Sequence, residues 1–250
     1  MALPKLMNGE IRVKDAKELV RECNSSIEEI QKEYATALNE KEIKPQLLIR
    51  IKNFMENLRS SLDFTAHALF DKYGDRSSRK NICFPYAWEG LDITKFRNKN
   101  RIEKCIPGLS SNRPDIVAKI EGYQYFSGKE NAWLPKFMDL NNENKHQRLT
   151  PQKRRERKEL RISSGGASMS LGEGALGSME RGASIRMGRM VIPGGQSFNV
   201  NKPPITFGEG EKEIITWVSF HFTSNKQPVM PFLKQALRGV EKIVNELSNM

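Results

Sequence analysis

The chain has 250 residues, 38% hydrophobic and 28% charged, with 41 lysines and arginines against 30 aspartates and glutamates for a net charge of +11, a balance that excludes a wholly disordered chain. No run approaches the roughly 18 apolar residues of a membrane span, and the N-terminus lacks the apolar stretch of a secretory signal, so a cytoplasmic protein with no membrane association is predicted. Cys23, Cys83 and Cys105 are odd in number and far apart without a CxxC pair, which predicts neither a disulfide framework nor a metal site, and no cofactor motif stands out.

The first predicted element is a long helix in which Ala16, Val20, Cys23, Ile27, Ile30, Tyr34 and Ala37 recur in alternating steps of four and three residues. That spacing holds one face toward partners, as a coiled coil or antiparallel bundle requires. A second helix is predicted from Pro45 to Phe70, with Leu47, Ile51, Phe54, Leu58, Leu62, Thr65 and Leu69 as its stripe. The short connection from Asn39 to Pro45 makes the two an antiparallel hairpin. Gly74, after Tyr73, predicts a left-handed cap. Residues 75–112 read as an irregular connector whose aromatic run, Phe84-Pro85-Tyr86-Ala87-Trp88, is expected to cap the bundle. A third helix is predicted over Arg113–Phe126 and a fourth over Ala132–Leu149.

Beyond Lys158 frequent glycines rule out continuous helix. Met169 with Leu171, Ile185 with Met187, Met190 with Ile192, and Ile214–Phe222 alternate as antiparallel strands do. After Pro228 and Pro231 a final amphipathic helix carries Phe232, Leu233, Ala236, Leu237, Val240, Ile243, Val244 and Leu247 on one face. The expected fold is mainly α (α+β): an antiparallel four-helix-bundle core plus a C-terminal helix, with a glycine-rich antiparallel β insertion. Residues 1–158 form the helical bundle, 159–224 the β insertion, and 225–250 the helix that packs back on the bundle.

The positive charge is concentrated. Residues 76–107 carry 8 basic and 3 acidic side chains, and residues 145–161 carry 8 and 2. The second group comprises Lys145, Arg148, Lys153, Arg154, Arg155, Arg157, Lys158 and Arg161. Clustering of this kind attracts polyanions and predicts salt-sensitive contact with phosphates; a solvated helix end gives the same count.

Three constellations bear on chemistry. Gly172-Glu-Gly-Ala-Leu-Gly177 matches a dinucleotide fingerprint literally but has neither the strand before it nor the apolar helix after it, so it reads as a glycine-rich hairpin region. On the fourth helix, Asn141 and Lys145 project along the line of Leu134, Met138 and Leu149, with Asn144 nearby and His146 at its boundary. Polar groups on an apolar face are paired, exposed at a groove, or used by a ligand. On the second helix Arg59, Asp63 and His67 share a stripe. A carboxylate beside a histidine holds its tautomer and raises its pKa, as acid–base catalysis needs; surface ion pairing produces the same pattern. His221 lies on the terminal strand and reads as packed or solvated. Ser163-Ser164-Gly-Gly-Ala-Ser168 lacks the GxSxG elbow of a serine hydrolase.

At Asn57-Leu-Arg-Ser-Ser-Leu-Asp-Phe-Thr-Ala-His67, Asn141-Asn-Glu-Asn-Lys-His-Gln-Arg-Leu149 and Pro231-Phe-Leu-Lys-Gln-Ala-Leu237, the chain resembles uncharacterised bacterial helical proteins likened to the HEPN superfamily. Many HEPN domains are small helical bundles that act as metal-independent ribonucleases in defence and toxin systems, often as dimers. Their signature puts arginine four to six residues before histidine. Here Arg59 precedes His67 by seven intervening residues, and Asn141 stands where an arginine would precede His146. The resemblance implies His146 as acid or base near a scissile phosphate, with Asn141 and Lys145 polarising it. Arg148 and the run Lys153, Arg154, Arg155, Arg157 and Lys158 would then hold the RNA backbone. A second histidine site at His67 with Asp63 fits the same chemistry.

The functional expectation is therefore a nucleic-acid-associated helical-bundle protein that binds RNA or DNA, as a metal-independent ribonuclease of prokaryotic antiviral defence or a toxin–antitoxin system, homodimeric through its bundle. The alternative is a noncatalytic assembly module that binds a protein partner.

Overall fold

The computed structural model describes residues 5–40, 43–78, 81–146, 149–164, 167–172, 183–187, 190–194 and 211–250. The chain divides into two units, residues 1–153 with 221–250, and residues 154–220. It is mainly helical, with eight α-helices among the described residues and a small antiparallel sheet. No helix among those residues is long and apolar enough to cross a membrane.

In the first unit, α1 (Lys5–Glu40) is 36 residues long, about 54 Å at ~1.5 Å per residue. Its stripe from Ala16 to Ala37 is buried throughout. Cys23 sits in that stripe, its thiol directed at the Phe54 carbonyl 3.5 Å away; burial, and secondarily Glu22, pushes its pKa up to about 12. Helix α2 (Pro45–Tyr73) packs along α1. It buries its predicted stripe and also Met55, Ser61, Ala66, Ala68 and Phe70, because α7 and α8 cover further sides of it. The buried hydroxyls are satisfied within the helix, Ser61 donating to the Leu58 carbonyl at 2.8 Å and Thr65 to the Ser61 carbonyl at 2.9 Å.

The end of α2 corrects the expected left-handed cap. Gly74 is extended, at φ −79° and ψ 162°, and its N–H donates to the Phe70 carbonyl at 2.8 Å. Glycine is required for space: a Cβ at this position would run into the Phe70 ring and carbonyl.

The connector is built from three short helices, α3 (Ile93–Asn98), α4 (Arg101–Cys105) and α5 (Leu109–Asn112). Helix α6 (Pro114–Gly122) is shorter than the predicted third helix and packs on α5. It ends early because side chains take carbonyls that further turns would use. Ser127 donates to the Glu121 carbonyl at 2.6 Å, and Asn131 to those of Gly122 at 3.0 Å and Gln124 at 3.2 Å. Two single 3-10 turns, Tyr125–Ser127 and Lys129–Asn131, then lead into α7 (Trp133–His146).

Helix α8 (Val229–Ser248) lies against α1, α2 and α7. All eight residues of its predicted face are buried, together with Val229 and Met230, each large side chain contributing about 1.5–3 kcal/mol. Gly239 lets the Trp133 ring of α7 approach the α8 backbone, in space a Cβ would occupy. Phe222 and Phe232 meet edge to face with centroids 5.9 Å apart.

The second unit holds a three-stranded sheet in the order β2-β1-β5, from β1 (Gln152–Ser164), β2 (Ala167–Gly172) and β5 (Glu211–Phe222). A separate antiparallel pair joins β3 (Ser184–Met187) and β4 (Met190–Pro193). β1 and β2 are antiparallel, with the buried Leu160 opposite the buried Leu171. β1 begins at Gln152, so the basic run 153–158, expected in the helical segment, lies on a strand. Of the literal glycine fingerprint only Gly172 is among the described residues.

Candidate nucleic-acid interface

The polar residues of α7 separate into different roles. Asn141 is only 5% exposed. Its amide donates to the Phe137 carbonyl at 2.9 Å, and its buried side-chain oxygen accepts no hydrogen bond among the described residues. Asn144 accepts from both the N–H and the hydroxyl of Thr150 at 2.8 Å, tying the end of α7 to the chain that enters β1. Lys145 and His146 end α7, and their side chains lie outside the described residues, as do Arg148 and the Arg157 side chain.

On α2 the Asp63 carboxylate is already committed. It accepts from Arg59 Nε at 3.0 Å and from the Phe84 N–H at 2.8 Å, fastening the connector to the helix. Arg59 also meets the Met138 sulfur and lies 5.7 Å from the Tyr86 ring centroid. The expected raising of the His67 pKa is reversed. Burial lowers it first and the nearby Arg12 charge second, while Asp71 and Asp63 oppose them weakly. Asp71 is itself paired with Arg12 at 2.7 Å. His67 is therefore a neutral imidazole near neutral pH. His221 bonds locally, its Nδ1–H donating to the Lys226 carbonyl at 2.8 Å.

The connector assembles a cation–aromatic group. Phe84 and Ala87 point inward and are buried, while Trp88 is 40% exposed. Lys99 Nζ lies 5.7 Å and Arg101 Cζ 5.5 Å from the Trp88 ring. Several bonds hold this arrangement. Gln124, fully buried, accepts from the Ala87 N–H at 2.8 Å and donates to the Pro85 and Ile120 carbonyls at 3.2 and 2.9 Å. Asp92 caps α3 by accepting from the Lys95 N–H at 2.8 Å. Arg97 forms a two-pronged pair with Glu121 of α6 at 2.7 and 2.6 Å. Asn100 takes the left-handed conformation, at φ 47°, that turns the chain from α3 into α4 between Lys99 and Arg101. Arg101 Nε is buried without a hydrogen-bond partner among the described residues.

A half-exposed indole with two cations over its ring brings aromatic surface and positive charge together, the pairing that single-stranded nucleic acid meets with its bases and phosphates. The sequence reading placed this aromatic run in a cap over the bundle and missed Trp88, Lys99 and Arg101 as a group. Its own charge count over 76–107 was the available signal; their juxtaposition depends on the fold of the connector.

In the second unit, β1 alternates its side chains between two faces. Arg155 and Arg161 are exposed on one face, which Lys153, immediately before this unit, continues in sequence. Arg154 pairs with Glu156 on the other, the face of the buried Leu160. Lys158 is partly exposed on that second face. The basic run is thus split by strand geometry, with about 6.6 Å between successive residues of one face.

Compared with known proteins, the chain matches no family model, no curated protein and no solved structure.

Proposed function

We propose that the chain is a nucleic-acid-associated protein of the cytoplasm, built on an antiparallel bundle of its long helices, that takes single-stranded RNA or DNA on the connector. The observation that carries this reading is the exposed Trp88 ring with Lys99 and Arg101 beside it. A base stacks on the indole while the cations meet the backbone, and the exposed cations of β1 add a second basic element.

The stronger form of the proposal is metal-independent, HEPN-like ribonuclease activity in a defence or toxin system, with a homodimer formed through the bundle. Its support is the motif resemblance at His67 and His146 and the neutral state of His67, which suits a general base. The second reading is a noncatalytic module for a protein partner.

Labelled single-stranded RNA incubated in EDTA with the wild type, Lys99→Ala/Arg101→Ala, His67→Ala and His146→Ala separates these. Binding by the wild type that weakens steeply with salt and is reduced in the double variant supports the interface. Turnover abolished in one histidine variant supports cleavage. Absence of any salt-sensitive binding by the wild type rejects the nucleic-acid reading and leaves the partner-binding one.

A further inference from the structure

Cys83 and Cys105 stand 22 residues apart in sequence, yet their sulfurs lie 3.1 Å apart, hydrogen-bonded to one another. The Cys83 N–H also donates to the Cys105 carbonyl at 3.4 Å, so the two backbones already run side by side. Both are free thiols, Cys83 partly exposed in the extended segment before Phe84 and Cys105 buried at the end of α4. Disulfide bonding needs the sulfurs to close by only about 1 Å, to ~2.05 Å.

Among the described residues, the groups that act on the Cys83 sulfur are Cys105 and Arg101 from α4 and Asp63 and Arg59 from α2. The hydrogen bond from the Cys105 thiol lowers the Cys83 pKa to about 7, against burial and Asp63, with Arg59 and Arg101 assisting. The same contact and burial raise the Cys105 thiol. The partly exposed Cys83 is thus the more readily ionised of the two and the buried Cys105 the less, the division of labour between an attacking and a resolving cysteine. Cys23, buried and shifted upward, is no competitor.

We propose that Cys83 and Cys105 form a hydroperoxide-reactive thiol pair that closes into a disulfide and staples the entry of the connector to the end of α4. The Cys83 thiolate attacks one peroxide oxygen and the O–O bond breaks, giving a sulfenic acid on Cys83 and releasing hydroxide, or alkoxide from an organic hydroperoxide. Cys105 then gives up its proton, its sulfur attacks the Cys83 sulfur, and the S–O bond breaks with hydroxide leaving as water. The two thiols lose two electrons, which reduce one peroxide. The proposal does not depend on nucleic-acid binding.

The test is full-length protein treated with equimolar hydrogen peroxide, alkylated, digested and mapped by mass spectrometry. The expected product is an intrachain Cys83–Cys105 peptide, an intact mass lower by two hydrogens and reversal by dithiothreitol. The disulfide should raise Tm by about 5–10 °C. Cys105→Ser should arrest at a sulfenic acid on residue 83 that dimedone traps, and the wild-type rate should fall about tenfold between roughly pH 8 and pH 6. Cys83 and Cys105 both remaining open to alkylation, or oxidation ending in an intermolecular disulfide or a sulfinic acid on the wild type, would overturn it. The wild-type map decides even where a variant fails to fold.

Discussion

In α8 ten side chains from Val229 to Leu247 are buried along the helix. The connector buries a smaller set, among them Phe84, Phe96, Ile106 and Leu109, and adds specific polar bonds: Asp63 to the Phe84 N–H, Gln124 to the Ala87 N–H, and Glu103 to the Gly108 N–H. Stabilisation in the helix scales with buried area and is spread over many contacts, so it survives small changes and fails when a large side chain is removed. In the connector part of it comes from individual donors and acceptors, and the buried Ala87 N–H loses its partner when one side chain is removed. The first kind of region makes a continuous frame; the second holds Trp88, Lys99 and Arg101 on a small apolar core supplemented by bonds that one substitution removes.

The largest effect should come from the frame. Phe232→Ala removes a buried ring that meets Phe222 edge to face and should cost about 3–5 kcal/mol, read from the shift of a urea midpoint. A shift of a few tenths of that size would mean the helical face is not the main source of stability. Gln124→Ala tests the other region. It strands the Ala87 N–H and takes the side-chain donor from the Pro85 carbonyl, while the Ile120 carbonyl still accepts from the Tyr123 N–H; the cost should be about 2–3 kcal/mol, and hydrogen exchange at Ala87 should quicken while the α8 amides change only with global stability. Equal acceleration in both would erase the proposed distinction.

Gly239→Ala places a methyl where Trp133 packs and should destabilise by about 1–3 kcal/mol; an unchanged midpoint would show that the α7–α8 contact yields easily. The smallest effect is the pH response of His67. Its folded pKa is lowered, chiefly by burial, so the unfolded chain binds the proton more tightly. Stability should fall as pH drops below about 6.5 and level off below the folded value. His67→Gln should flatten that part of the profile. The depressed carboxylates, such as Asp115 held at about 2 by the hydrogen bond from Arg113, act at lower pH: their contribution is present above about 4 and is lost as pH falls toward their folded values. A slope between pH 7 and 5 unchanged by the substitution would remove His67 as its source.

The same contrast governs what could be read in advance. The stripes of α1, α2 and α8 were legible because helical period and burial are local properties, visible in Ala16 to Ala37 or Phe232 to Leu247 without knowing what covers them. The early end of α6 was not, because it depends on Ser127 and Asn131 reaching back to its carbonyls. Gly74 was recognised as a terminator for the wrong reason, since what forbids a side chain there is the Phe70 ring. Asn141 was correctly singled out as polar on an apolar face, but only its surroundings distinguish a buried amide bonded to Phe137 from a groove-lining one. The basic run 153–158 was visible in composition; its strand geometry, which divides it between two faces, was not. Trp88 was seen as aromatic area, and its cations, 11 and 13 residues later in the sequence, came to it through the turn at Asn100.

The central claim is that the connector presents a stacking face for single-stranded nucleic acid, and titration of a fluorescent single-stranded oligoribonucleotide into wild type and Trp88→Ala tests it most directly. The proposed face predicts a loss of about 1–3 kcal/mol of binding free energy, roughly fivefold to more than a hundredfold in Kd, with the urea midpoint unchanged. Equal affinity for the two proteins would contradict it.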